Sequence, residues 1–546
     1  MRTLLTLGLA TTFFAACDSG PTALKDPPIL KVTSPDRGLL QGAAGIVTVK
    51  GTVTPNADGA LVDTVLVNNV PAVVGADGSF IATVQVQAGA TLIQTIATDV
   101  AGGKASDTRS VRAGQIKKPG TNINDAITAA ISTQTFAQIS TVAATVIKGL
   151  DIKSMLAPMN PMQHAGDPNG EDCLFDRVYV DDFQFTDVHL GLVPVVGGID
   201  FSAEIDGLYV PAHARYAVAC VTGTENVSVA ASKVVIAGTL LVTPDGMNGF
   251  KTTLQSPNVN IEGLDINASG LPGTILDMID FNAVMTFVAE KGAEMAMGPI
   301  VNQVLGGLAG PKTVNLLGKQ ITVQVSPSRI DFDDSGAVVA LDTSLLIAGS
   351  EGSPGFVYTD NGIPSMDPSQ GFQLGMADDL MNEMMAEVQA VGMLNMSMPA
   401  QAGTFDGNQI SMTVPPMISA DPVDGKLKMI LGDMSLTFTD HGTPVGHAAV
   451  NAKIDMQVVP ANSGYGVAIQ LGKPEINVDV LDDVANTTRF SDEDLAHAVE
   501  ACLTAQIDSI SKLLTGIPIP TMMNMRMKNL SIGSDSGYVM VKGALE

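Results

Sequence analysis

The chain contains no tryptophan, and aromatic residues make up only 4% of its 546 positions. Charged residues are also few, at 16%, and positive charge is the scarcer sign: 29 Lys+Arg stand against 56 Asp+Glu, a net charge of −27. That deficit argues against nucleic acid, whose binding releases counterions through cationic side chains. It argues equally against electrostatic capture by anionic lipid headgroups; acidity of this kind keeps an exported protein soluble. The four cysteines include no C-x-x-C pair and no Cys/His cluster, so a zinc site is not expected. No G-x-S-x-G elbow, H-E-x-x-H or P-loop occurs. The six histidines (His164, His189, His213, His441, His447, His497) are scattered. Asp440-His441 is a local pair with no evident nucleophile, so a turn is the expectation there. Beyond the first residues, no apolar run approaches the ~18 residues of a spanning helix.

What is present begins at Met1. Arg2, the apolar run Leu4–Phe14, and Phe14-Ala15-Ala16-Cys17 read as a secretory signal over 1–16 ending in what resembles a bacterial lipobox. Cleavage before Cys17 would leave a thiol for diacylglycerol and palmitate, making an exported lipoprotein. The plainer alternative is an ordinary signal cut near Ala16. Phe14 stands where an aliphatic residue is usual. Asp18 bears on inner against outer membrane, and the outer membrane is the expectation.

Residues 17–27 form a tether. Over 28–113, segments such as Ile46–Val49, Val65–Asn68, Phe80–Val84 and Thr91–Ala97 alternate at period two, with turns such as Gly75-Ala76-Asp77-Gly78 between them. That pattern predicts a β-sandwich. Val49-Lys50-Gly51-Thr52-Val53, Asp77-Gly78-Ser79-Phe80 and Ala97-Thr98-Asp99-Val100-Ala101-Gly102 resemble bacterial Ig-like domains, which implies a spacer or binding stalk. A linker, 114–120, follows.

From 121 the pattern changes. Ile127, Ile131, Ile139, Val142, Val146 and Leu150 predict a helix. Strands are expected over 176–268, a helix over 276–308, strands over 313–348, a helix over 374–392, strands over 408–481 and a helix over 492–515. A final strand pair closes the chain. The last helix carries Leu495, Val499, Leu503 and Ile507 on its apolar stripe and a capping box from Ser491 to Asp494. The order of elements repeats, which suggests internal duplication. Cys173 and Cys220 flank strand-rich sequence and are the candidate disulfide of an oxidising compartment; Cys502 reads as a buried thiol. Two acidic loops, 167–172 and 331–336, lack EF-hand spacing and read as turns.

Gly371-Phe372-Gln373-Leu374-Gly375-Met376-Ala377-Asp378-Asp379-Leu380-Met381-Asn382, leading into Val391–Leu394, resembles the opening of the second barrel in the bactericidal/permeability-increasing protein family. Gly516-Ile517-Pro518-Ile519-Pro520, Met525–Leu530 and Tyr538–Val541 are similar to that family's closing segment. The resemblance implies the TULIP lipid-binding architecture: an α+β fold with two barrels, each a twisted antiparallel sheet wrapped on a long helix, joined by a central sheet. It places the first barrel at 121–330 and the second at 331–546. The family's first-barrel disulfide lies nearer its long helix than Cys173 and Cys220 do, so that bridge is not carried over. Lipopolysaccharide-binding members are basic at the barrel tip, whereas this chain is acidic.

The resemblance implies apolar pockets for acyl chains. Each buried methylene contributes roughly 0.8 kcal/mol, so a pocket of aliphatic side chains and Met needs no polar contact. The candidate lipid-contacting residues are Ile127, Ile131, Ile139, Val142, Val146, Met381, Met384, Met385, Leu495, Val499, Leu503 and Ile507; core filling is the plainer role for each. The expectation is a non-catalytic, lipid-anchored cell-envelope protein that binds or transfers a hydrophobic ligand, with no cofactor, no metal and no nucleic-acid partner. The alternatives are a surface adhesion or scaffold protein with filled barrels, and a hydrolase without a recognisable motif.

Overall fold

The computed structural model describes residues 26–57, 59–166, 173–246, 249–305, 310–316, 319–360, 362–398, 407–420, 426–460, 466–483, 497, 499–500, 503–504, 517–518 and 527–545. The chain divides into two compact units. One comprises residues up to 37 with 46–85 and 93–109; the other comprises 38–45, 86–92 and everything from 110.

The N-terminal sequence forms an immunoglobulin-like sandwich. One sheet orders its strands as Ile29–Ser34, Gly45–Thr54, Ser79–Val86 and Val73–Val74, and the alternation expected from sequence appears in Gly45–Thr54, where Val47, Val49 and Val53 are buried. At the Asp77-Gly78 turn, Gly78 has φ +79°, and a Cβ there would lie 2.5 Å from the Val53 carbonyl oxygen. Only glycine meets both demands.

In the second unit, β1 (Ile123–Ser132) leads directly into α1 (Thr133–Lys148). This corrects the expected helical start: Ile127 and Ile131 lie on a strand. A spacing of four fits a period of two as well as 3.6, and both faces of β1 are covered, so Ala126, Ala129, Ala130 and Ile131 are all buried and alternation is lost. Ser132 ends the strand as the helix N-cap, its Oγ accepting the Thr135 N–H at 3.2 Å. Phe136, Ile139, Ala143 and Ile147 then form the buried stripe.

The first large sheet contains β2 (Phe175–Val180), β3 (Asp187–Val195), β4 (Gly198–Val218), β5 (Val221–Pro244) and β6 (Phe250–Glu262). The β4–β5 hairpin pairs continuously from Ile199↔Leu240 to Val218↔Val221, apart from the position opposite Gly207. At ~3.3 Å per residue the 21-residue β4 is about 70 Å long. Its two-residue turn places Ala219 and Cys220 at φ 49° and 66°, and Cys220 is disulfide-bonded to Cys173. The expected helix over 276–308 appears as α2 (Phe281–Leu305).

β7 (Lys319–Asp333), β8 (Gly336–Ile347), β9 (Phe372–Ala377), α3 (Asp378–Ala390), β10 (Leu427–Asp440), β11 (Thr443–Pro460), β12 (Met527–Asp535) and β13 (Tyr538–Leu545) follow. The predicted helix over 374–392 starts later, because 374–377 belong to β9. β10 and β11 form the spine of a second large sheet, joined at a turn where His441 and Gly442 have φ 50° and 75°. His441 is thus a turn residue.

A seven-stranded sheet lies between the halves, in the order Gly310–Leu316, β7, β8, β1, β9, β13, β12. Its centre is the antiparallel pair β1–β9, with Ile127 opposite Met376 and Ala130 opposite Gln373. Each of these strands runs straight into a helix, and each is flanked by a hairpin, β7–β8 or β12–β13. The repeat of element order is therefore a spatial repeat about β1–β9. Two large sheets on either side of a central sheet is, at this coarse level, the arrangement the family resemblance implies.

Candidate functional site

The inward residues of the first large sheet face α1 and α2, and two apolar cavities lie between them. One is bounded by Ile147 and Ile152, by Phe183 and Phe185, by the inward side chains Val188, Leu190, Phe201, Ala203, Ile205 and Ile236, and by Gly292, Ala293 and Met297 of α2. It is narrow: about 40 Å³ admits the centre of a water molecule. The second is lined by Ile131, Phe136, Ile139, Leu192, Ile199, Val242, Met297, Ile300, Val301, Ile330 and Phe332, with about 30 Å³ open to the centre of a water molecule. Met297 borders both, so the two voids are neighbours along α2. No charged or hydrogen-bonding side chain lines either. Genuinely dry cavities are of this type.

Of the residues singled out from sequence, Ile131 and Ile139 line the second cavity. Ile127 lies in the central sheet opposite Leu341 and Met376. Val142 and Val146 pack half-buried against the core and line neither cavity. Met381 is buried and Met384 and Met385 are half-buried on α3, also away from both cavities. Val499 and Leu503 are buried. Leu495, Ile507, Cys17, the Ser491–Asp494 cap, Cys502 and the acidic loop 167–172 lie outside the described residues. In the loop 331–336, Asp333 Oδ1 accepts the Ser335 and Gly336 N–H groups at 2.8 and 3.0 Å, which makes it a turn. Among the described residues no group of acidic, His or Cys side chains is placed to hold a metal ion, and no helix is long and apolar enough to cross a membrane.

Sequence reasoning missed α2 as a cavity wall. Its apolar residues run all round the helix with no single stripe, so periodicity does not say which of them meet the void. It also missed Phe183 and Phe185, which enter from an irregular segment. A third omission is Asp176. It shares the inward face of β2 with Val178 and Val180, is fully buried, and neither carboxylate oxygen makes a well-aligned hydrogen bond. Burial raises its pKa, against the opposing pull of Arg177, His164 and the nearby backbone N–H groups of Asp176 and Ala165.

The Met-rich helix α3 does something else. Asp379, Glu383 and Glu387, at helical spacing of four, are all buried. Asp379 accepts the Thr359 N–H at 2.8 Å and the Asp360 N–H at 3.2 Å. Glu383 accepts Gly120 N–H at 3.0 Å and Leu345 N–H at 3.2 Å, and Glu387 accepts the Ile347 N–H and the Ser350 hydroxyl. On the same helix Asn382 exchanges two hydrogen bonds with the backbone of Ile418, in the manner of a strand neighbour. α3 thus fastens the central sheet to the second large sheet by polar contacts.

Comparison with known proteins adds the following. A family model described as "Glucodextranase, domain B" matches residues 28–115. The N-terminal module is Ig-like. Among solved structures, a lipopolysaccharide binding protein aligns over 79% of this chain and 99% of its own, at 14% identity and a TM-score of 0.38. A rhamnogalacturonan lyase aligns over 79% of this chain and 67% of its own, at 11% identity and a TM-score of 0.09. No curated relative matches the chain.

Proposed function

We propose that this is an exported lipoprotein of the cell envelope, anchored through Cys17 at the outer membrane, that holds a hydrophobic lipid chain in its first barrel without covalent chemistry. The Ig-like module serves as a stalk. The observation that carries the lipid reading is the pair of cavities meeting at Met297, walled by aliphatic and aromatic side chains alone. Burying an acyl chain there contributes roughly 0.8 kcal/mol per methylene, and no polar group in the lining has to be desolvated. Rotation of Met297 joins the two voids into one slot, and α1 and α2 part from the sheet as the chain enters.

The test is native mass spectrometry of the intact protein extracted without harsh detergent, with uptake of a fluorescent fatty acid as a second measure. A non-covalent lipid mass beyond acylation of Cys17 is expected, and Ala293→Phe, which fills the first cavity, is expected to cut uptake at least tenfold. A ligand-free mass together with no uptake overturns the proposal. A second reading, an adhesion or scaffold protein, is favoured by how little of either void admits even water. No uptake by the parent protein, with binding to a surface partner through the Ig-like module, would favour it instead.

A further inference from the structure

A larger cavity lies across the start of α1 from the apolar ones. Ile131, Phe136 and Ile139 face the greasy void, whereas Ser132, Thr135 and Gln138 face a cleft of about 530 Å³. Its other walls are Gln134, the turn Ser369–Gly371, and Asn529, Ser531, Lys542, Gly543 and Ala544 of the β12–β13 hairpin, with Phe372 as an apolar floor. The volume falls within the range of small-molecule sites, about 300–1,000 Å³.

Two features mark this cleft. Gln134, Gln138, Asn529, Ser531 and Lys542 line it, the first, third and fourth exposed and the other two half-buried, and none of their side chains is hydrogen-bonded to another described residue. In a chain with a net charge of −27, the single charged side chain in the lining is a cation. The hairpin is also deformed here. Lys528 pairs with Ala544 and Ser531 with Lys542, so Asn529 and Leu530 together oppose Gly543. Asn529 takes φ +55°. Such a bulge re-aims a side chain that a regular strand would point elsewhere. The nearby Asp367 carboxylate accepts hydrogen bonds in its own turn, Oδ1 from the Ser369 N–H and hydroxyl at 3.0 and 2.6 Å and Oδ2 from the Gln370 amide at 2.6 Å, and the Lys542 charge also acts on it, so an incoming anion competes with Asp367 for Lys542.

We propose that this cleft binds an acidic saccharide unit, a hydroxyl-rich ring bearing one anionic group. Side-chain amides and hydroxyls both donate and accept, which matches the paired donors and acceptors of vicinal hydroxyls. Lys542 supplies the one positive charge, placed to meet a single carboxylate or phosphate. The site is independent of the lipid slot, which has its own walls and no polar group in common with it.

The test uses the full chain with three probes, glucuronate, glucose 6-phosphate and glucose, followed by saturation-transfer NMR and calorimetry. At least one acidic sugar is expected to bind about tenfold or more tightly than glucose. Lys542→Gln is expected to remove that difference while leaving the weak glucose affinity in place. Gln134→Ala with Asn529→Ala is expected to weaken all three. Glucuronate against glucose 6-phosphate decides which acid the site takes. If neither acidic sugar binds, or if Lys542→Gln binds them as well as the parent does, the proposal is overturned. The half-exposed lysine makes this variant safe for folding, and its unchanged thermal midpoint and fatty-acid uptake separate loss of this site from failure of the lipid reading.

Discussion

Glu383 and Glu387 stand one turn apart on α3, both fully buried, and each accepts the N–H of a β8 residue that has no strand beside it. β8 pairs with β7 as far as Ile347 but with β1 only as far as Thr343. Leu345 and Ile347 therefore face an open edge, and an unpaired buried N–H costs about as much as a lost hydrogen bond. The two carboxylates take the place of the missing strand. Burial, with Glu387 nearby, pushes the Glu383 pKa up to about 9, and burial raises that of Glu387 as well.

This arrangement fixes a sign for the pH dependence. A carboxyl group whose folded pKa lies above its unfolded value binds more protons folded than unfolded, so its contribution is full below the ordinary 4.5 and declines as pH rises toward 9. The slope is at most ~1.4 kcal/mol per pH unit per group. The thermal midpoint is expected to fall between about pH 5 and pH 8, a window above the titration of the carboxylates whose pKa is lowered, such as Asp333 and Asp367. Glu383→Gln keeps the shape and one acceptor and is expected to flatten that decline. A midpoint in Glu383→Gln that falls as steeply as in the parent contradicts the assignment.

Removing the acceptor altogether has a different outcome. Glu383→Ala strands the N–H groups of Gly120 and Leu345, at a cost of about 1–3 kcal/mol each. Chemical denaturation at neutral pH is expected to show that loss, together with faster hydrogen exchange at Leu345.

Asp176 gives the opposite prediction. Its buried carboxylate makes no well-aligned hydrogen bond and burial outweighs the charges and N–H groups that favour its ionised form, so Asp176→Asn, which cannot ionise, is expected to stabilise the protein by about 1 kcal/mol at neutral pH. Because the Asp176 pKa is raised, the gain is expected to shrink as pH falls and the native acid becomes neutral. A variant less stable than the parent at pH 8 rules this out.

The Cys173–Cys220 bond closes a loop with a sequence separation of 47. Chain-entropy reasoning assigns such a loop about 4 kcal/mol. It also holds the tip of the β4–β5 hairpin, where Ala219 and Cys220 occupy left-handed backbone. The Cys173→Ala/Cys220→Ala pair is expected to lower the thermal midpoint and to raise exchange at Val218 and Val221 before it affects the Ile199–Leu240 end. Uniform exchange along the hairpin would remove the disulfide's local role.

Much of the fold was legible along the chain. The Ig-like strands alternate and Gly78 marks its turn, because these signals act over a few residues. The two cysteines were legible as a candidate pair. Of the named candidates, Ile139 met the void from its helix stripe, and Ile131 met it from a strand rather than from the helix expected. The walls supplied by α2, Phe183 and Phe185 were not legible, because an all-round apolar helix offers no preferred face and an irregular segment offers no period.

The sequence by itself determined which stretches are strand or helix wherever the pattern was strong, the acidic charge and the repeating order of elements. Only the tertiary structure decided that Ile127 and Ile131 belong to a strand, and that the charged face of α3 points inward while its methionines are shared between interior and surface. The physical reason is that burial is set by what lies on the other side. Asp379, Glu383 and Glu387 are buried because backbone N–H groups about twenty to forty residues away in the chain, and that of Gly120 farther still, are brought against them, and no local periodicity encodes that meeting.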